Sequence, residues 1–152
     1  MSRQSASVVI ARPPEEVFGY MDDVSRESEW QPNLKSAKQD PPGPTALGTK
    51  KRYESRFMGR DLCSTYVVVE WEPGRRVVYE TEKGSSIEAR SEIRYEPEGQ
   101  GTRVTMFIEG KPKGFLKLVP KAALELAYTE ELKATLARVK NRLESRAGGA
   151  RP

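Results

Sequence analysis

Histidine is absent from the 152 residues, and Cys63 is the single cysteine. The first absence removes the commonest general base and the commonest metal ligand. The two together exclude Ser-His-Asp and Cys-His catalysis and leave no ligand set for zinc or copper. Neither a metal nor a cofactor is expected. A lone cysteine also rules out an intramolecular disulfide, so a reducing cytoplasm is the expected compartment. Cys63 without a histidine lacks the usual partner of a reactive thiolate and reads as a small hydrophobe. No apolar run approaches the roughly 20 residues that span a bilayer. Met1 to Ala6 is polar, and the apolar run after it is too short for a signal peptide. Stable membrane insertion is not expected. Any catalysis would fall to carboxylates, Tyr, Lys, Arg or ordered water.

Charge of one sign is also lacking. Lys and Arg number 26 against 22 Asp and Glu, a net charge of +4, and the signs are interleaved along most of the chain. This reads as a mixed solvated surface. A concentrated basic stripe with interleaved aromatics is missing, so nucleic acid is not an expected partner. The length suits one domain, taken as residues 1–146, with 147–152 as a small polar tail that is expected to fray.

The order of elements is the informative part. A strand over Ser7 to Ile10 runs into Arg12-Pro13-Pro14-Glu15-Glu16-Val17-Phe18, a helix opening with proline in the first turn and two glutamates at the positive end of the helix dipole. Asp22-Asp23 ends that helix, Ser25 can cap a second short turn, and Trp30-Gln31-Pro32 stops it. Strands are then predicted over Leu34 to Asp40, Thr49 to Phe57, Leu62 to Trp71, Arg76 to Glu82, Ser86 to Glu96 and Thr102 to Glu109. Most are separated by short glycine-bearing turns, as in an antiparallel meander. Over Ser86 to Glu96 the odd positions are Ile87, Ala89, Ser91, Ile93 and Tyr95 and the even positions alternate Glu and Arg. One face is therefore buried and the other wet, with charges that can pair across strands. In the C-terminal segment Leu132, Leu136, Val139 and Leu143 form an amphipathic stripe. Pro120 either kinks that helix or starts it, with Gly114 to Val119 as a separate turn.

On these residues the chain resembles the START-like superfamily, which contains the polyketide cyclase/dehydrase, lipid-transfer and birch-pollen-allergen-like proteins. The likeness rests on Val8 to Phe18, Asp22, Trp30-Gln31-Pro32, Gly48, the block Val67 to Tyr79, Gly101 to Thr105 and the final helix. It implies an α+β helix-grip fold. A curved antiparallel sheet of about seven strands would wrap around a long C-terminal helix, with two short helices after the first strand and a cavity between sheet and helix. It also implies an apolar or amphipathic ligand such as a lipid or polyketide. The motifs are structural, so no catalytic residue is carried over.

Strand alternation names the candidate wall: Tyr53, Ser55 and Phe57; Thr65, in register with Cys63, Val67 and Val69; Tyr79; Ser91, Ile93 and Tyr95; and Met106. A mostly apolar surface with a few hydroxyls suits a small-molecule pocket. Ala89 and Ser91, opposed to Ala123 and Ala127 in the first half of the final helix, predict open volume there. Tyr128, Phe115 or Trp30 are the side chains that would otherwise fill it. Lys111, Lys113, Lys117 and Lys121 surround Phe115, Leu116 and Leu118 near the expected mouth. They read as a solvated helix start, or as a basic rim for an anionic amphiphile. The functional expectation is a binding module for a hydrophobic or amphipathic small molecule. The alternatives are an aromatase/cyclase-type enzyme and a protein-interaction module such as a co-chaperone or an antitoxin-like partner.

Overall fold

In the structure, a computed structural model that describes residues 3–149 and the side chains of residues 3–145, seven strands form one sheet. They are β1 (Gln4–Ile10), β2 (Leu34–Asp40), β3 (Lys50–Phe57), β4 (Arg60–Glu72), β5 (Arg76–Thr81), β6 (Glu88–Glu98) and β7 (Gly101–Lys111). Their order across the sheet is β1-β7-β6-β5-β4-β3-β2, with every neighbouring pair antiparallel. The meander β2 to β7 is thus closed at one side by the N-terminal strand. The crossing from β1 to β2 is made by α1 (Pro14–Asp22) and a 3-10 helix (Val24–Glu29). Asp23 caps that 3-10 helix, accepting from the backbone N–H of Ser25 at 3.0 Å, so the cap is the aspartate and not the expected Ser25. Pro120 starts the long helix: Gly114–Leu118 is a separate 3-10 turn and α2 (Lys121–Gly149) follows it. The expected tail lies in its last part, 150–152, outside the described residues, and the backbone of α2 runs to Gly149.

Two packed clusters hold the sheet to α2. One joins Leu136, Val139 and Leu143 of α2 to Ile10, Val17, Trp30, Val68, Val77 and Tyr95. The other joins Leu124 and Tyr128 to Leu62, Ile87, Ala89 and Leu116. The buried stripe of α2 therefore runs through Leu124, Tyr128 and Leu132 as well as through its distal half. Steps of four residues keep these side chains on one face, while Ala123 and Ala127 sit about 100° around the axis. Ala123 is exposed and Ala127 half-buried. The predicted small-residue face of the proximal helix is corrected accordingly. The close approach at that end comes instead from Gly110 in β7, where a Cβ would lie 3.1 Å from the Tyr128 hydroxyl oxygen.

Strand β4 also departs from the predicted register. Leu62, Ser64, Tyr66 and Val68 face the core, and Thr65 and Cys63 take the opposite face. A bulge between Val68 and Glu70 then shifts the parity, so that Trp71 faces inward opposite Val77. The run is apolar or β-branched on both faces, so alternation carries no sign there. On the outer face the even residues of β6 pair as expected. Arg76 donates to Glu92 at 2.8 Å, Arg90 to Glu70 at 2.8 Å, and Arg94 also binds Glu92. Among the described residues no helix is long and apolar enough to cross a membrane.

Candidate functional site

Between the two clusters lies a hollow of about 180 Å³. That is far more than the ~10–15 Å³ one water needs, and close to the ~150 Å³ that accommodates benzene. It is smaller than the ~300–1,000 Å³ typical of pockets for drug-sized ligands. Seven of the predicted wall residues meet around it: Tyr53, Ser55 and Phe57 from β3, Tyr79 from β5, Ser91 and Ile93 from β6, and Met106 from β7. They converge because β3 and β5 to β7 present the predicted parity to the concave face. Space remains because Ser55, Ser64 and Ser91 stand where larger side chains would fill it.

Four predicted residues stand outside the wall. Thr65 points to the other face of β4. Ala123 and Ala127 lie off the inward face of α2. Tyr95 points inward but is 3% exposed and packs edge-on against Phe18, ring centroids 5.3 Å apart, inside the first cluster. The hollow begins beyond it.

Aromatic rings make much of the wall. Phe57 stacks on Tyr128 at 5.2 Å between centroids, and Tyr66 bridges edge-on to Tyr53 at 5.8 Å and to Tyr79 at 6.5 Å. Tyr128 and Trp30, two of the side chains expected to fill the space if it were closed, border it instead.

The most deeply buried carboxyl of the wall is Glu27, which is 3% exposed. The 3-10 helix turns it under β3, where its carboxylate accepts from the Tyr53 hydroxyl at 2.7 Å and from the Gln31 side-chain amide at 2.5 Å. Burial pushes its pKa up to about 7, although the cation of Lys51 and both hydrogen bonds act the other way. Burial and the adjacent Glu27 carboxyl push the Tyr53 phenol well above its ordinary value. Beside this pair Lys51 is 1% exposed. Its ammonium donates to the Asp22 backbone oxygen at 3.1 Å and lies 3.4 Å from the Asp22 carboxylate. Desolvation raises Asp22 despite that partner. On the α2 side Glu131 also borders the hollow, accepts from Asn33 at 3.2 Å, and is raised by desolvation.

Sequence reasoning missed Glu27 because Val24–Glu29 is almost wholly polar and carries no periodic signal. Lys51 had a signal: it shares the parity of Tyr53, Ser55 and Phe57. Glu131 lies one position before Leu132 in the stripe. At the expected mouth Leu116 is fully buried and Phe115 lies under the Arg60 guanidinium, 4.9 Å from its ring centre. Leu118 is exposed.

Known proteins place this architecture. A search of curated proteins finds no match. Among solved structures, a protein from Thermus thermophilus is similar with a TM-score of 0.81 at 18% identity, over 96% of this chain and 99% of that one. A START superfamily protein from Mycobacterium smegmatis is similar at 0.79 and 16%, over 94% and 97%. The Zhui aromatase/cyclase from a Streptomyces species is similar at 0.77 and 16%, over 96% and 95%. At these identities the likeness is one of fold, and it is the fold described above: one long helix gripped by a seven-stranded antiparallel sheet. The family described as polyketide cyclase / dehydrase and lipid transport matches residues 1–144. That match takes in the strand, the two short helices, the whole meander and nearly all of α2, and the chain belongs to this family.

Proposed function

We propose that the protein is a binding module for a compact hydrophobic or amphipathic small molecule, taken up between the sheet and α2. The observation that carries this reading is the hollow itself: about 180 Å³ of open space walled mainly by apolar and aromatic side chains, between two well-packed clusters. Packed interiors leave few voids larger than a water, so a gap of this size in a small domain calls for an occupant. Its volume favours a one- or two-ring molecule, polyketide-like in shape, over an extended lipid chain. The compartment that fits the single free cysteine is the reducing cytoplasm. A protein-interaction module would need a filled interior, and the hollow weighs against it.

Ser91→Phe tests the reading, because Ser91 is a small wall residue on a regular strand. Uptake of an apolar fluorescent probe should fall at least tenfold, while the cost in folding stability stays below the ~1–3 kcal/mol of overpacking a filled core. Unchanged probe uptake would show that the hollow is not the binding site and would overturn this reading.

One observation favours the aromatase/cyclase-type alternative. The Glu27 carboxyl borders the hollow and titrates near neutrality, where a general base works best. Under that reading the protein accelerates exchange of the α-protons of 2-tetralone, a bicyclic ketone, in D2O, and Glu27→Gln abolishes the acceleration. Exchange no faster than in buffer, with 2-tetralone bound, would rule the enzyme out for this ketone class.

A further inference from the structure

We propose that the hollow selects a ring-shaped apolar ligand whose polar head is a hydrogen-bond donor, a hydroxyl or an amine, and discriminates against carboxylates. The inference rests on the binding reading above. It starts from a contrast: the chain carries a net charge of +4, yet the wall of the hollow is acidic. Its ionisable carboxyl groups are Glu27, from the 3-10 helix, and Glu131, from α2. The one cation among the described wall residues, Arg56, is exposed and held by Asp61 at 3.0 Å and by the Gly59 carbonyl at 3.2 Å. The nearest buried cation, Lys51, is held by Asp22. The described wall thus offers a ligand carboxylate only the exposed Arg56, already shared with Asp61, whereas two carboxyls stand ready to accept a donor. Above about pH 7, the value to which burial pushes Glu27, an anionic ligand meets like charge from the buried carboxylate.

A second observation points to a ligand head at this place. Ser64 is 6% exposed and faces inward on β4 as the register partner of Tyr53, and its hydroxyl oxygen has no hydrogen-bond partner. Trp30 is 2% exposed, and its indole N–H is likewise unpartnered. Both residues border the hollow. Buried polar groups are normally paired, and leaving one unpaired is costly. A ligand hydroxyl fits the set, because it donates to the Glu27 carboxylate while its oxygen accepts from Ser64 or Trp30. An amine satisfies the carboxyls and the Ser64 oxygen. A carboxylate satisfies only the donors and opposes the acids.

The test uses four probes on one ring system: 2-naphthol, 2-naphthylmethylamine, 2-naphthoate and 2-methylnaphthalene. Each is titrated at pH 8, where Glu27 is ionised, into the full chain by quenching of tryptophan emission, which Trp30 in the wall reports. Naphthol or the amine should bind at least tenfold tighter than naphthoate. In Glu27→Gln/Glu131→Gln that preference, with each affinity taken relative to 2-methylnaphthalene in the same protein, should fall below threefold. Should the double variant not fold, Glu131→Gln alone must lower the preference at least threefold. Naphthoate binding as tightly as naphthol and the amine, or a preference untouched by the variants, overturns the donor-head proposal while leaving the binding module standing. If 2-methylnaphthalene and the other three all fail to bind, the binding reading falls and this proposal with it.

Discussion

Lys51→Met is expected to destabilise the fold by about 3–5 kcal/mol at pH 8, the cost of leaving a buried partner charge uncompensated. Methionine matches the lysine stem in length and apolar packing, so the loss isolates the ammonium. Lys51 is 1% exposed, and its head group is tied to the Asp22 carbonyl and carboxylate at one end of a cluster whose other member is Glu27. The cation lowers both acids, and desolvation already outweighs it in each. Without it both acids protonate more readily. The deficit should therefore shrink on going from pH 8 to pH 5, where neutral carboxyls no longer need a counter-charge. The triple variant Asp22→Asn/Glu27→Gln/Lys51→Met, which removes the cluster as a whole, should recover most of the loss, since replacing an entire buried ionic group is often close to neutral. Urea midpoints at the two pH values check all three statements. A Lys51→Met deficit equal at pH 5 and pH 8 would mean that the lysine acts through packing alone.

How much of this was legible in the chain depends on local pattern. In β6 the strict alternation of Glu and Arg against Ile87, Ala89, Ser91, Ile93 and Tyr95 fixes the inward face without help from tertiary structure. The stripe Leu132, Leu136, Val139 and Leu143 does the same for the distal half of α2. In β4 the block Tyr66-Val67-Val68-Val69 is apolar on both sides, so nothing local chooses between the two parities, and the bulge at Val68 changes the parity within the strand. Thr65 was misplaced for that reason. Tyr95 has the right parity, and only the position of Phe18 on α1 decides that it packs instead of lining the hollow. Glu27 is the deepest omission. Its burial results from the docking of a polar 3-10 helix against β2, which brings the Glu27 carboxyl to Tyr53 of the neighbouring β3, a tertiary event that the sequence around Val24–Glu29 does not announce. Of the small residues from which open volume is predicted, only Ser91 borders the hollow, while Ala89 packs in the second cluster and Ala123 and Ala127 lie off the inward face of α2; the acidity of the wall had no signal.

That acidity gives the second large effect, in the pH dependence of stability. A Glu in the unfolded chain titrates near 4.5, and Glu27 in the folded protein near 7, with desolvation the main cause. Below pH 4.5 the carboxyl is neutral in both states, and burial costs it nothing in charge. Between pH 4.5 and 7 the unfolded chain has released its proton while the folded protein still holds one. Stability then falls as pH rises, by at most about 1.4 kcal/mol per unit. Above 7 both states are ionised and the loss is complete. A gap of 7 − 4.5 = 2.5 units makes the total about 3 kcal/mol. Asp22 and Glu131, raised for the same reason, add in the same direction. The carboxylates lowered by surface arginines and lysine, Glu70, Glu92, Glu98 and Glu144, act below pH 4.5 with the opposite sign. Glu27→Gln removes the titrating group while keeping an amide that can bond Tyr53. The stability of this variant minus that of the parent should therefore climb by about 3 kcal/mol between pH 4.5 and pH 8, read from urea unfolding at half-unit steps. Parallel profiles for the two proteins would show that Glu27 is ionised in the folded state throughout and that its surroundings are wetter than the geometry indicates.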